Sequence, residues 1–222
     1  MADKSKIEWT DATWNPITGC SVTSPGCTGC YAMRLAGGRL KNHPSRKGLT
    51  QESKAGPVWT GEVRFNREWL NQPLTWKKPR MVFVCAHADL FHEAVPEDWI
   101  VDIWANMALA RQHVFQVLTK RHDRMWQLLS SLTFQCRVYE LYEIVVEGLP
   151  GRSTSDWTWP IPNAWVGVSV ESQDWAAKRI PLLMDTPAAV RWISAEPLLG
   201  PINLTALETI AKHTQHLSLI HI

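Results

Sequence analysis

Residues 81–108 read MVFVCAHADLFHEAVPEDWIVDIWANMA, and this stretch decides the fold. Five apolar, β-favouring residues come first. A polar segment with Asp89 and His92 follows, then Pro96 and two acids, then Trp99, Ile100, Ile103, Trp104, Met107 and Ala108 at three- and four-residue spacing. A short buried strand ending in charge, followed by a helix with Pro in its first turn and acids at the positive end of its dipole, is a βα unit. The unit recurs towards the carboxyl end. HVFQVL at 113–118 closes on Thr119-Lys120-Arg121 and leads to a helix bearing Met125, Trp126, Leu128 and Leu129. AWVGVSV at 164–170 closes on Glu171-Ser172 and leads to a helix over 173–184 with Trp175, Ile180 and Leu183 as core contacts, and VRWIS at 190–194 closes on Ala195-Glu196-Pro197. This alternation predicts an α/β fold with a parallel sheet. Active sites of such sheets gather at the carboxyl ends of the strands. Asp89, His92, Thr119, Lys120, Ser169, Glu171, Ser194 and Glu196 are therefore expected near one face of one sheet, although any single one of them can equally be a loop start or a helix cap.

Two regions stand outside the repeat. Residues 41–61 are polar, with Gly48, Gly56 and Pro57, and read as a surface loop; residues 133–162 read as an insertion with a short strand or helix of its own around 138–146. The 222 residues are 45% hydrophobic and 20% charged, enough for one substantial core and unlike a disordered or fibrous chain. With 23 Lys and Arg against 21 Asp and Glu, the net charge of +2 makes no case for a polybasic arm. Apolar runs fall short of the roughly 20 residues of a membrane span, and MADKSKIEWTD carries no apolar signal core. An odd count of five Cys, three of them crowded together, argues against a disulfide framework and places the chain in a reducing, cytoplasmic compartment. Thirteen Trp is the outlying number. Trp99, Trp104, Trp126 and Trp192 fall at core-like positions, whereas Trp9, Trp14, Trp157 and Trp159 are placed to reach a cofactor or a planar substrate.

The strongest chemical signal is 19–31, GCSVTSPGCTGCY, a C-x6-C-x2-C loop preceded by a strand-like segment at 7–18 and left by a helix over 31–36. Thiolates are soft ligands, and a loop punctuated by Gly and Pro can fold Cys20, Cys27 and Cys30 around one centre. Three cysteines with no obvious fourth suit a [4Fe-4S] cluster that leaves one iron open. The same residues make a structural zinc site if Cys85, Cys136, His43 or His87 completes a tetrahedron. Three unliganded thiols are the remaining alternative. Asp89 and His92 suit orienting a substrate or relaying a proton, and Lys120 with Arg121 suits holding a phosphate or carboxylate. Their plain alternatives are a cap for Asp89, a backbone partner for His92 and a solvated strand end for the basic pair.

A cluster loop at the carboxyl end of the first strand of a βα barrel resembles the radical S-adenosylmethionine (SAM) enzymes. IEWTDATWNPITGC, the closing CxxC with YA, DLFHE, FQVLTKR, WVGVSVES, RIPLL and EPLLGP also resemble, in that order and over residues 7–204, a phage and bacterial family named after phage gene products thirty-seven and sixty-eight. That family is described as of unknown function with radical-SAM-like character. The resemblance implies a partial (β/α) barrel of radical SAM type, with Cys20, Cys27 and Cys30 as metal ligands. It points to Ser169 and Glu171, with Ser194 and Glu196, as contacts for SAM, and leaves Asp89, His92 and Lys120 as catalytic candidates; for Glu171 a helix N-terminal acid is the alternative. Radical SAM proteins more often space the cysteines C-x3-C-x2-C. Where relatives have Ser-Cys-Glu-Pro-Leu, this chain has Ala195, which excludes a ligand there.

The implied activity is reductive cleavage of SAM and hydrogen abstraction from a substrate, with a nucleic acid or nucleotide as the first expectation and a separate electron donor required. A non-catalytic zinc- or iron–sulfur-stabilised binding module, including one for nucleic acid, is the alternative. The family's Gly-Gly-Glu-Ser-Gly stretch and closing KQWG-like segment have no counterpart here, so the barrel is expected to be truncated at its carboxyl end after about residue 204. Residues 205–222 then form an atypical tail, in which LSLIHI at 217–222 matches what a sequencing adapter would encode, an ordinary amphipathic tail being the alternative.

Overall fold

The structure, a computed structural model, describes residues 5, 7–148, 153–204 and the strand at 217–220. The chain opens with β1 (Ala12–Trp14) and β2 (Ile17–Thr18), passes through the cysteine loop, and enters α1 (Tyr31–Gly37). The stretch read as a polar surface loop contains an antiparallel hairpin, β3 (Thr50–Ser53) and β4 (Gly56–Trp59); β5 (Arg64–Phe65) then returns to pair with β2, and α2 (Gln72–Thr75) follows. From there the repeat takes over: β6 (Met81–Val84), α3 (Glu97–Leu109), β7 (Val114–Thr119), α4 (His122–Ser130), α5 (Leu132–Glu147), β8 (Ala164–Ser169), α6 (Gln173–Asp185) and β9 (Val190–Ser194). A last strand, β10 (Leu217–Ile220), lies beside β9. The sheet is parallel throughout, in the order β1-β6-β7-β8-β9-β10. The expected α/β class with a parallel sheet is therefore present. Of the tail, residues 205–216 and 221–222 lie outside the described residues, as do residues 149–152 of the expected insertion.

Strand order follows chain order, so every crossover steps in the same direction and the helices collect on one face. Alternation along the strands separates the two faces. Val82, Val84, Phe115, Val117, Ala164, Val166, Val168 and Ile193 join α3 to α6 in the main core. The opposite face carries Phe83, Gln116, Gly167 and Trp192. Trp9 covers it: its ring lies 4.8 Å from that of Phe83 and 5.3 Å from that of Trp192, and its carbonyl accepts the amide of the fully buried Gln116 at 3.0 Å. Phe83 and Trp192 belong to β6 and β9, about 14 Å apart at the usual strand spacing of a flat sheet. One indole bridges them, so this face is concave.

Pro96 immediately precedes α3, whose first-turn acids Glu97 and Asp98 pair with Arg137 of α5 at 2.6 and 2.5 Å. The expected insertion is half structural core. Phe134, Val138, Tyr142 and Val146 recur at every fourth residue of α5 and are all buried. Trp157 lies tilted against Tyr142, ring centroids 5.2 Å apart, and Trp159 edge-on to Phe134 at 6.0 Å, so both half-buried indoles pack on α5. Trp14 is likewise fully buried, with Nε1 donating to the Trp69 carbonyl. Trp104 and Trp192 are buried as expected, while Trp126 is exposed. A second, smaller core of Ala32, Met33, Ala36, Leu49 and Trp59 lies between α1 and the β3–β4 hairpin, and Cys20 and Cys30 pack against it. Among the described residues no helix is long and apolar enough to cross a membrane.

Gly167 sits directly beneath Trp192: a Cβ there would lie 2.6 Å from the indole. Gly167→Ala should cost about 1–3 kcal/mol through overpacking, seen as a lower urea midpoint with an unchanged slope. Trp192→Leu should recover part of that loss in the double variant. An unchanged midpoint in Gly167→Ala would contradict this packing.

Candidate functional site

The cysteine loop is fitted to its place by two glycines. Gly19 has φ +97°, and a Cβ there would lie 2.2 Å from the Glu62 carbonyl oxygen; its N–H donates to His87 O at 3.1 Å. Gly26 backs onto Glu171, whose carboxyl carbon would lie 3.0 Å from an added Cβ. Pro25–Cys27, with Gly26 at its centre, makes one tight turn, with Ser24 Oγ 3.9 Å from Cys27 Sγ. Cys30 then stands at the start of α1 and donates its N–H to Cys27 O.

Arg121, at the carboxyl end of β7, organises one side of the loop. Its Nη2 donates to Ser21 Oγ at 2.8 Å and Ser21 O at 3.2 Å, and its Nη1 to Asp89 Oδ2 at 3.1 Å and Cys20 Sγ at 3.5 Å. Glu93 lies 3.4 Å from Nε. Asp89 also accepts from Thr119 Oγ1 at 2.7 Å and from the N–H groups of Lys120 and Phe91, both at 3.0 Å. Burial works against the charge of Arg121, but Asp89, Cys20 and Glu93 together raise its pKa. Burial pushes the Cys20 thiol up to about 12, with the Arg121 charge acting in the opposite direction. A neighbouring soft cation would keep that sulfur as thiolate.

A second buried pair backs the loop on its other side. Arg179 Nη1 donates to Glu171 Oε2 and to Ser169 O, each at 2.7 Å, and both side chains are fully buried. Glu171 Oε1, Arg179 Nε and Arg179 Nη2 have no partner among the described residues. Trp175 lies under the guanidinium, 4.1 Å from ring centroid to Cζ. Burial lowers the Arg179 pKa, with Glu171 opposing it.

The strand-end residues thus divide. Asp89 and Thr119 form one network with Arg121 and the cysteine loop, and His92 joins it through Nε2, 2.9 Å from Ser21 Oγ, while its Nδ1 accepts from Ala94 N. Burial, and then the Arg121 charge, lower the His92 pKa. Lys120 is half-buried and makes no ion pair among the described residues. Ser169 and Ser194 are buried at paired positions of β8 and β9, Glu171 is buried and pairs with Arg179 through one oxygen, and Glu196 is exposed beyond β9. The anchoring roles of Arg121, Arg179 and Ser21 were not assigned from sequence. In sequence Arg121 reads only as half of a basic pair, and Arg179 only as the first residue of RIPLL.

Among the described residues no three His, Cys, Asp or Glu side chains are spaced to share one metal ion. Two of the candidate fourth zinc ligands have hydrogen-bond partners of their own. His43 Nδ1 lies 2.6 Å from Ser45 Oγ, His87 Nδ1 accepts from Arg46 Nε at 3.4 Å, Cys85 is buried and Cys136 is exposed on α5. Ligands of a cluster bind separate irons and stand farther apart than ligands of one ion. Three thiols in one loop, with a guanidinium 3.5 Å from the first and a hydroxyl 3.9 Å from the second, are the soft donor type that a cluster uses.

Comparison with protein families gives a match over residues 4–215, nearly the whole chain, to the family described as "Protein of unknown function (DUF5131)". The chain belongs to that family. Neither the curated proteins nor the solved structures contain a match. Membership in DUF5131 thus covers both the cysteine loop and the strand ends around it, and leaves their chemistry to be read from the geometry.

Two outcomes test the site. Asp89→Asn would leave the buried Arg121 with only the exposed Glu93 as a carboxylate partner and should destabilise the protein by up to about 3–5 kcal/mol. The double variant with Arg121→Met should lose less than the sum of the two singles, and additive losses would contradict the coupling. The second outcome concerns pH. Burial, then the Arg46 charge, lower the His87 pKa from 6.5 to about 4. The unfolded chain therefore takes up a proton that the folded chain refuses, so stability is full above about pH 6.5 and falls by up to roughly 3 kcal/mol on the way down to pH 4. Urea unfolding across that range should show a shallower fall in His87→Gln. An identical fall would show that His87 contributes nothing to it.

Proposed function

We propose that the chain is an iron–sulfur enzyme of radical SAM type, built on a partial (β/α) barrel. One observation carries this reading: the Cys20–Cys27–Cys30 loop lies at the carboxyl ends of a one-directional parallel sheet, between two buried acid–arginine pairs. The concave face beneath Trp9 is the kind of surface that such a sheet closes around a cofactor.

Cys20, Cys27 and Cys30 would hold the cluster. When bound, a cluster of this kind supplies one electron to the sulfonium of SAM, breaking its C5′–S bond into methionine and a 5′-deoxyadenosyl radical that takes a hydrogen atom from the substrate. Arg121 offsets the negative charge of the thiolates and is held in place by Asp89. Glu171 and Arg179 brace the turn at Gly26, which makes Glu171 a positioning residue as well as a candidate contact for SAM. Ser169 and Ser194, buried at paired positions of β8 and β9, and the exposed carboxylate of Glu196 stand at the same strand ends as candidate contacts for the polar groups of SAM. Lys120 is placed to meet an anionic part of the substrate, and His92, kept neutral by burial, to exchange a proton through Ser21. The electron comes from a separate donor, and a nucleic acid or nucleotide is the substrate class put forward.

Anaerobic reconstitution should give a brown protein with about four iron atoms per chain, and Cys20→Ala, Cys27→Ala and Cys30→Ala should each lose the colour. With dithionite and SAM the reconstituted protein should release 5′-deoxyadenosine. Arg121→Gln, which removes a positive charge beside one ligand, should retain iron but shift the cluster potential downward. A colourless protein with one zinc per chain would instead establish the binding-module alternative.

A further inference from the structure

Net charge conceals where the charge lies. Between Arg34 and Arg67 the sequence holds eight Lys and Arg against two Glu, a local net of +6 in a chain that totals +2, so the remaining residues sum to −4. This segment spans most of α1, the β3–β4 hairpin and β5, the same module whose small core packs on Cys20 and Cys30. Arg34, Arg39, Lys47 and Lys54 are exposed, and none of them is in an ion pair among the described residues. Lys41 is balanced by Glu52 at 2.7 Å.

Arg46 adds an independent observation. It is only 5% exposed, yet its neighbours are Ser45 Oγ at 2.5 Å, His87 Nδ1 at 3.4 Å and the ring of Trp69, with no carboxylate among its described contacts. Arg64 is close enough for its charge to act against that of Arg46. A buried guanidinium facing a second arginine without a counter-anion is costly, and the cost falls when an anion arrives. His87 in turn packs edge-on against Tyr31, which follows Cys30. The uncompensated charge therefore adjoins the cysteine loop.

We propose that this module is a nucleic-acid-binding surface, taking the phosphodiester backbone along Arg34, Arg39, Lys47 and Lys54 beside the cysteine loop. Exposed Lys and Arg without acid partners gain most from polyphosphate, because binding releases the counterions condensed on it. An acidic protein offers sparser charge and a membrane offers a plane, whereas single exposed charges spread over α1, the turn after it and the β3–β4 hairpin match the closely repeated phosphates of a nucleic acid. That the bound polymer is the substrate rests on the radical-enzyme reading; the binding itself does not.

The test is fluorescence anisotropy with a labelled DNA single strand of about 20 nucleotides, and with its duplex, across a salt series. Affinity should fall linearly in log–log form with salt. The triple variant Arg39→Glu, Lys47→Glu, Lys54→Glu should bind at least tenfold more weakly, with the single-strand slope shallower by about 2, as expected for three lost phosphate contacts. Lys77→Glu with Lys78→Glu, two exposed residues outside the segment, should stay within about twofold of the unaltered chain. Absent binding at low salt, equal losses in both variants, or displacement by polyglutamate or anionic vesicles as effective as by unlabelled DNA would overturn the proposal. 5′-Deoxyadenosine release measured without nucleic acid reads the enzyme proposal separately, so either can fail while the other stands.

Discussion

The contact between Asp89 and Arg121 is the one on which the candidate site depends. It brings together three segments distant in sequence: the loop after β6, the end of β7 and the cysteine loop. Both side chains are nearly inaccessible, with 6% and 7% side-chain exposure, so each has given up water that the other must replace. Asp89 manages this by accepting four hydrogen bonds, two of them from backbone N–H groups that cannot move without unwinding the strand end. Arg121 then delivers what remains of its donor fork to Ser21 and Cys20. The loop has few apolar anchors of its own apart from the small core beneath Cys20 and Cys30, so polar bonding fixes where its first sulfur points.

The second pair is built differently. Glu171 and Arg179 are wholly buried, but three of their polar atoms have no partner among the described residues. A buried unsatisfied donor costs about 1–3 kcal/mol, more when charged, and the stacking of Arg179 on Trp175 offsets only part of that. Asp89 and Arg121 are satisfied and hold the loop rigidly by Cys20, whereas Glu171 and Arg179 keep hydrogen-bonding capacity in reserve beside Gly26 and Cys27. Such a reserve suits a place where a ligand brings its own acceptors.

The repeating strands were legible because buried parallel strands read as short β-branched runs with charge at one end, and β6, β7, β8 and β9 lie within a residue of where those runs put them. Helix α5 was only half legible. Its apolar residues fall at every fourth position, but the Gly and Pro just beyond it made the whole stretch resemble an insertion. Side-chain roles were harder to read. Lys120 and Arg121 are adjacent and alike in sequence, and what separates them is that alternation turns one towards Asp89 and leaves the other half-buried without an ion pair. Glu171 read as a ligand contact or a helix-cap acid, because nothing local announces that Arg179, eight residues on, lies fully buried beside it. The tryptophans divided for a related reason: Trp14, Trp157 and Trp159 fill core space set by distant elements, which no local spacing records.

Charge distribution extends the same lesson from contacts to fields. A total of +2 describes the chain as seen from far away, but at physiological salt a charge is felt over only about 8 Å. At that range an approaching polyanion meets either the basic module or the acidic remainder, never their sum. Concentrating +6 between Arg34 and Arg67 gives the proposed surface a local charge that the total does not express. That segment belongs to the module packed on Cys20 and Cys30. The proposed polyanion would therefore meet the module beside the cysteine loop, whose Cys20 is tied by Arg121 to the end of β7.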